Sequence, residues 1–236
     1  MLRHALACLT ALAVAACMGP QAPRERYGRF LQPVANPGKV IATELAFARM
    51  ARDEGTWTAF RHYATDDAVM ASPGIVLVQE ALKDVPDPAE PIVWGPDLVW
   101  SSCSGDYALS TGPATYPSGR KGRFATIWER QADGEYRWVV DQGFELEDDH
   151  VQPELIPANV ADCSSPRASR FVPTPSADHS AGNSADGSLA WATRIAPDCS
   201  RTFMVSVKQG DEMVEIFRRQ ADAPQAPEGA EAPTCG

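Results

Sequence analysis

Residues 98–141 read LVWSSCSGDYALSTGPATYPSGRKGRFATIWERQADGEYRWVVD, and the alternation within this stretch decides the fold class. Leu98, Trp100 and Ser102 fall on one side of an extended chain, and Val99, Ser101 and Cys103 on the other. Ser104-Gly105-Asp106 reads as a turn, after which Tyr107, Leu109 and Thr111 alternate with Ala108 and Ser110. A second turn region runs from Tyr116 to Lys121. Phe124, Thr126 and Trp128 then alternate with Ala125 and Ile127, Ala132-Asp133-Gly134-Glu135 carries a hairpin signal, and Tyr136, Trp138 and Val140 alternate with Val139 and Asp141. Four extended segments joined by short turns predict an antiparallel meander.

Upstream of residue 92 the period is helical. Val40, Ile41, Leu45, Phe47, Ala48 and Ala51 share one arc at 100° per residue between Lys39 and Asp53, and Glu54-Gly55 ends the segment. Thr56 is placed to cap a second short helix carrying Trp57, Phe60 and Tyr63. Residues 66–74 turn the chain into a short extended piece, residues 78–85 read as a third small helix, and residues 84–91 as a proline-rich loop. Helices followed by a meander make an α+β plan. Residues 151–187 lose all periodicity and read as an irregular Pro/Ser-rich linker. Alternation returns over residues 188–220, where a small three-stranded meander is expected, and residues 221–236 read as a disordered tail.

The first residues carry an address. Met1-Leu2-Arg3-His4 precedes an apolar stretch that ends Val14-Ala15-Ala16-Cys17, too short to remain as a spanning helix. The ending resembles a bacterial lipobox, which implies a signal peptide over residues 1–16, lipidation of Cys17 and an exported protein anchored by lipid to the periplasmic face of a membrane. Met18 after the cysteine leans toward the outer membrane by the same resemblance. Residues 17–35, rich in Pro, Arg and Gln, read as a tether. Export permits disulfides. Of the three pairings open to Cys103, Cys163, Cys199 and Cys235, the one bracketing the polar loop, Cys163 with Cys199, is expected, with Cys103 a buried free thiol and Cys235 in the mobile end.

Composition excludes several classes. The 236 residues are 44% apolar, enough for a core, and a formal net charge of −10 argues against nucleic acid as a partner. No Cys-x-x-Cys occurs and the four histidines are scattered, so neither metal nor cofactor is called for. No Gly-x-Ser-x-Gly is present for nucleophilic hydrolysis.

The order and spacing of further motifs carry a resemblance. Glu44-Leu45-Ala46-Phe47-Ala48, Ala59-Phe60, Tyr63, Asp66-Asp67-Ala68-Val69, Trp94-Gly95-Pro96, Ser104-Gly105-Asp106-Tyr107, Thr111-Gly112, Gly122-Arg123-Phe124, Ile127-Trp128-Glu129-Arg130 and Trp138-Val139-Val140-Asp141 together resemble nuclear-transport-factor-2-like domains of the SnoaL-like and ketosteroid-isomerase-like kind, over residues 36–150. The resemblance implies a cone, with a strongly curved antiparallel sheet wrapped around the first helix, an apolar pocket, and dimers. Residues 188–220 lie outside that common core as a small β extension. The isomerase activity does not carry over. Residues 69–73 lack the carboxylate those enzymes place there, and Lys39 to Asp53 contains no tyrosine.

Two carboxylates remain as candidate catalytic groups. Glu44 falls inside the apolar arc of the first helix, where an ionised group is costly unless paired or protonated. It reads as a general base or ligand anchor at the floor of the cone, as half of a buried salt bridge to Arg61 or another arginine, or as a hydrogen-bonded cap for a loop. Asp141 would join it on a concave face or be solvated or arginine-paired on a convex one. Trp57, Tyr63, Trp100, Tyr107 and Trp128 are candidates to line a pocket for a ring-shaped or lipidic ligand, with core filling as the alternative. His62 reads as an exposed helix residue, and Arg120, Lys121 and Arg123 as a solvated basic turn. The functional expectation is a lipid-anchored envelope module that binds a small apolar ligand or a protein partner without catalysis. The alternative is an isomerase, cyclase or hydratase using Glu44 and Asp141.

Overall fold

The computed structural model describes residues 35–71, 73–163, 176–226, 231 and 233–235. Cys17, the leader and residues 17–34 lie outside the described residues. The order is α1 (Pro37–Asp53), α2 (Thr56–Tyr63), β1 (Ala64–Ala71), β2 (Ile75–Leu77), α3 (Val78–Ala81), β3 (Val93–Trp94), β4 (Leu98–Ser101), β5 (Tyr107–Thr115), β6 (Lys121–Arg130), β7 (Tyr136–Glu145), β8 (Ala158–Val160), β9 (His179–Asn183), β10 (Leu189–Ile195), β11 (Arg201–Gln209) and β12 (Glu212–Ala221). The fold is α+β with a mixed first sheet. Its strands run β2-β1-β7-β6-β5-β4-β8, with β3 also on β5, and β12-β11-β10-β9 form a second sheet.

The meander read from residues 98–141 is β4 to β7, joined by antiparallel pairs. Two parallel pairs, β1 with β7 and β4 with β8, make the sheet mixed. β3 and β4 both pair with β5 along the same side, separated by a break at Gly95-Pro96, where proline has no N–H to donate. Gly112 has no side chain because the Gly95 carbonyl passes where a Cβ would sit.

Alternation along β5 and β6 sorts side chains between two cores. Ala108, Ala114, Phe124 and Trp128 meet Val40, Phe47, Ala48, Ala51, Ala59 and Phe60 of the helices. Leu109, Ala125 and Ile127 face the other way and join Leu189, Trp191, Phe203, Val205, Val207 and Phe217 of the second sheet. The first sheet is therefore buried on both faces, between helices and a second β layer, which explains the continuous burial along β6.

α2 is capped from outside. Gly55 precedes it at φ 122°, and the Asp87 carboxylate accepts the N–H groups of Trp57 (2.5 Å) and Thr58 (3.0 Å) and the Thr58 hydroxyl (2.6 Å). A Cβ at Gly55 would strike that carboxylate. Thr56, expected to cap, instead accepts the Ile92 N–H at 3.2 Å. The third helix is only the single turn Val78–Ala81.

Three expectations for the second half are corrected. The stretch read as an irregular linker contains β8 and β9, so the second sheet has four strands. The disulfides are Cys103–Cys163 and Cys199–Cys235, not Cys163–Cys199, and Cys103 is not a free thiol. Parallel pairing of β4 with β8 sets Ser101 against Val160, which brings Cys103 and Cys163 together just beyond. Cys235 is held in place: its N–H donates to the Pro197 carbonyl, and its sulfur bonds Cys199 in the β10–β11 turn.

Two aspartates clasp the layers reciprocally. Asp106 accepts the Ala185 N–H at 2.7 Å, and Asp186 accepts the Ser104 N–H at 2.7 Å. Asp186 also accepts the Ser184 hydroxyl (2.6 Å), the Ser188 N–H (3.0 Å) and the Ser188 hydroxyl (2.8 Å). Burial would raise its carboxyl, but the hydrogen bonds from Ser184, Ser188 and Ser104 outweigh it and hold the group below the usual carboxylate range. A depressed folded-state value stabilises the fold above the unfolded pKa, and that stabilisation is lost as pH falls through the folded value. Asp186→Ala is expected to cost about 2–3 kcal/mol at pH 7, since it strands donors that now bond a charged group. The difference from wild type should shrink below about pH 4. Urea unfolding of both proteins at pH 3 and 7 checks this; an equal gap at both would contradict it.

Candidate functional site

Glu44 is buried completely on the inward arc of α1. Its Oε1 accepts the Trp94 indole N–H at 2.7 Å, and its Oε2 accepts the Ser110 hydroxyl at 2.5 Å and the Trp128 indole N–H at 3.1 Å. Trp128 Nε1 also donates to Ser110 Oγ at 2.8 Å. β3, β5 and β6 thus each bring one donor to a helix carboxylate. Burial pushes the Glu44 carboxyl up from its ordinary value, opposed by the bonds from Ser110, Trp94 and Trp128.

The expected arginine partner is elsewhere. Arg61 donates to the Leu82 carbonyl at 2.7 Å and the Thr58 hydroxyl at 3.1 Å. Neutral indoles and a hydroxyl do the work assigned to a cation.

Aromatic rings fill the space around Glu44. Phe47 lies 5.0 Å from Phe60, 5.2 Å from Tyr63, 4.8 Å from Trp94 and 6.0 Å from Trp128, centroid to centroid. Where the resemblance implies an apolar pocket, side chains of the protein occupy the interior. A general base needs a lone pair within reach of a substrate proton. The carboxylate of Glu44 is instead spent on three donors inside a packed core.

Asp141 lies on the same side of the sheet as Glu44, by way of a β-bulge. Trp128 pairs with Trp138 and Ile127 with Val140, so Val139 is an extra residue in β7. The bulge reverses the alternation: Trp138 faces the helices, Val140 the second sheet, and Asp141 the helices again, beside Thr126. Plain alternation put Asp141 opposite Trp138. The Thr126 hydroxyl donates to Asp141 at 2.5 Å. Loss of water pushes Asp141 up to about 7, with the Thr126 bond opposing and the nearby Glu44 charge adding to the rise.

The aromatic candidates divide. Trp128 is core. Trp57 packs edge-on against Phe60 at 5.5 Å. Trp100 and Tyr107 belong to the opposite core, and the Tyr107 hydroxyl donates to Glu129 at 3.0 Å. Tyr63, together with His62, lines open space. A cleft of about 420 Å³ is lined by Lys39, Ala42, Ala46, His62, Tyr63 and Tyr136, among others. A second of about 760 Å³ adds Leu45, Arg49 and Met50. Both share Ala42, Ala46, His62 and Tyr63, so they form one trough along the outer side of α1. Two alanines on α1 give it depth, and Leu45, 48% exposed, stands on its rim. A Lys39–Glu135 ion pair of 2.7 Å closes one end. Neither Glu44 nor Asp141 lines it.

A buried charge network was not foreseen. Arg123, read as part of a solvated turn, is only 7% exposed. Its Nη1 donates to both oxygens of Asp97 at 3.1 Å, its Nε to Glu147 at 2.8 Å and its Nη2 to Nδ1 of His150 at 2.9 Å. Arg219 pairs with the same Glu147, and Arg218 with Glu215. These groups border a cleft of about 600 Å³ beside β12. Each arginine there already has an acid, so the network ties residues 147–150 and β12 to the first sheet. No group of three His, Cys, Asp or Glu among the described residues is arranged to hold a metal ion.

No protein-family model and no curated protein matches the chain. Solved structures do. A candidate ketosteroid isomerase from Parabacteroides distasonis is 11% identical, over 50% of this chain and 98% of that one, with a TM-score of 0.38. A nuclear-transport-factor-2-like protein of unknown function from Pseudomonas putida is 15% identical, over 52% and 96%, with a TM-score of 0.34. Δ5-3-ketosteroid isomerase from a Mycobacterium species is 12% identical, over 48% and 95%, with a TM-score of 0.32. Over about half its length the chain is thus similar to nuclear-transport-factor-2-like and ketosteroid-isomerase-like structures.

Proposed function

We propose that this protein is a non-catalytic binding module, anchored by lipid on Cys17 at the periplasmic face of a bacterial outer membrane, that takes a small apolar ligand in the trough along α1. The sequence of the leader supports the address. The trough beside Tyr63 carries the binding reading: Ala42, Ala46, Met50 and Tyr63 give it apolar surface among polar and charged residues, and the interior that would otherwise hold a ligand is packed with aromatic side chains. The strongly curved cone remains the shape the resemblance implies, with its hollow filled in this chain. Catalysis by Glu44 is not favoured, because its oxygens are committed to Trp94, Ser110 and Trp128.

N-phenyl-1-naphthylamine, a neutral apolar fluorophore, provides the test. Saturable one-site binding is expected. Ala46→Arg, at an exposed helix position, should weaken it at least tenfold with the melting temperature unchanged. Absence of binding, or binding indifferent to that substitution, would overturn the reading. A mature N-terminus other than a lipid-bearing Cys17, read by mass spectrometry of the membrane-extracted protein, would remove the anchor.

A further inference from the structure

We infer that Glu44 and Asp141 form a proton-linked pair in which only one carboxylate is accommodated in ionised form, so that ionising Asp141 destabilises the folded chain.

Placement comes first. The bulge at Val139 turns Asp141 to the helix side, opposite Met70 of β1 and Thr126 of β6. Glu44 on α1 faces the same space and is fully buried. The hydrogen bonds to the pair come from Trp94, Ser110, Trp128 and Thr126, all neutral.

The charged groups on the surrounding elements do not compensate. On α1, Lys39 pairs with Glu135, and Arg49, Arg52 and Asp53 lie on its exposed side. On β1, Asp66 and Asp67 are exposed, and both are acidic. On β6, Arg123 faces the opposite side and is engaged by Asp97 and Glu147, Lys121 is exposed at the strand's start, and Glu129 and Arg130 stand at its far end. On β7 itself, Arg137 donates to the His62 carbonyl and Glu145 is exposed. Two like charges with neutral partners in a largely dry space repel, and the group with fewer hydrogen-bond donors to its charged form keeps its proton. That group is Asp141, which accepts from Thr126, whereas Glu44 holds three donors. The rise of Asp141 to about 7 agrees in direction.

The sign of the effect follows. An acid whose folded-state pKa lies above its unfolded value binds its proton more tightly when folded. Its stabilisation is complete below the unfolded pKa and is lost as pH rises through the folded one. Asp141→Asn keeps an acceptor for Thr126 and cannot ionise.

Urea unfolding of the full chain between pH 5 and 8.5 tests the pair. The folding equilibrium constant of Asp141→Asn relative to wild type should climb with pH, toward about tenfold per unit near pH 5–6, and level off above about pH 7.5. A ratio independent of pH would overturn the proposal. If Asp141→Asn fails to fold, carboxyl carbon NMR of the wild type decides. A carboxyl titrating near neutrality, and lost in Asp141→Glu or shifted by Thr126→Val, supports the pair; every carboxyl titrating below pH 5 refutes it.

Discussion

Glu44→Ala is expected to lower stability by about 4 kcal/mol or more. The substitution removes the acceptor shared by two indole N–H groups and a hydroxyl, all buried, and leaves a void among Phe47, Trp94 and Trp128. Each stranded buried donor costs about 1–3 kcal/mol, and the lost packing adds to that. A domain of this kind has about 5–15 kcal/mol in total, so the variant sits near the limit of folding. Glu44→Gln retains one carbonyl acceptor but points an amide N–H at a donor, and should cost about half as much. Urea unfolding of both variants measures the order. An Ala variant as stable as wild type would show that the three donors find other partners, and would reopen Glu44 to a catalytic role.

The second large effect belongs to Cys103–Cys163. The bond closes a loop of 60 residues. Chain-entropy arithmetic for such a loop gives about 4 kcal/mol. Replacing both cysteines with serine should therefore lower the melting temperature by about 8–16 °C for a chain of this size. The bond lies next to the aspartate clasp, where Cys103 N–H donates to the Ser188 hydroxyl at 2.8 Å, so its loss also frees the seam between the two sheets. Peptide mapping without reduction should find Cys103 joined to Cys163 and Cys199 to Cys235. A Cys163–Cys199 peptide would contradict the pairing.

Local pattern revealed the elements whose cause is local. The two-residue period of β4 to β7 and the apolar arc of α1 are visible because each strand or helix buries one face along its own length. The burial of Glu44 was legible for the same reason. Its partners were not, since Trp94 and Trp128 lie 50 and 84 residues further along the chain and meet it only through the sheet. A tryptophan gives no sign in sequence of whether its indole N–H serves a carboxylate or points to water.

The face of Asp141 stayed open in the sequence because one extra residue, Val139, shifts the register, and valine carries no bulge signal of its own. β8 escaped notice because three residues, Ala158 to Val160, are too few to show a period. With β8 missing, nothing indicated that Cys163 approaches Cys103. Arg123 looked solvated from its basic neighbours, whereas its acids come from residues 97 and 147, far along the chain on either side. The trough is a product of packing between α1, α2 and β7, and only Tyr63 among the expected pocket residues reaches it.

The central claim is that the space between α1 and the first sheet is filled and that ligands bind outside it. Proton–nitrogen NMR of the full chain during titration with N-phenyl-1-naphthylamine tests this most directly, because the indole N–H groups of Trp94 and Trp128 report from the interior and the amides of Ala42, Ala46 and Tyr63 report from the trough. Shifts confined to the trough, with both indole signals unmoved, are the predicted result. Displacement of the Trp94 or Trp128 indole signal by the fluorophore, with the trough amides silent, would contradict it.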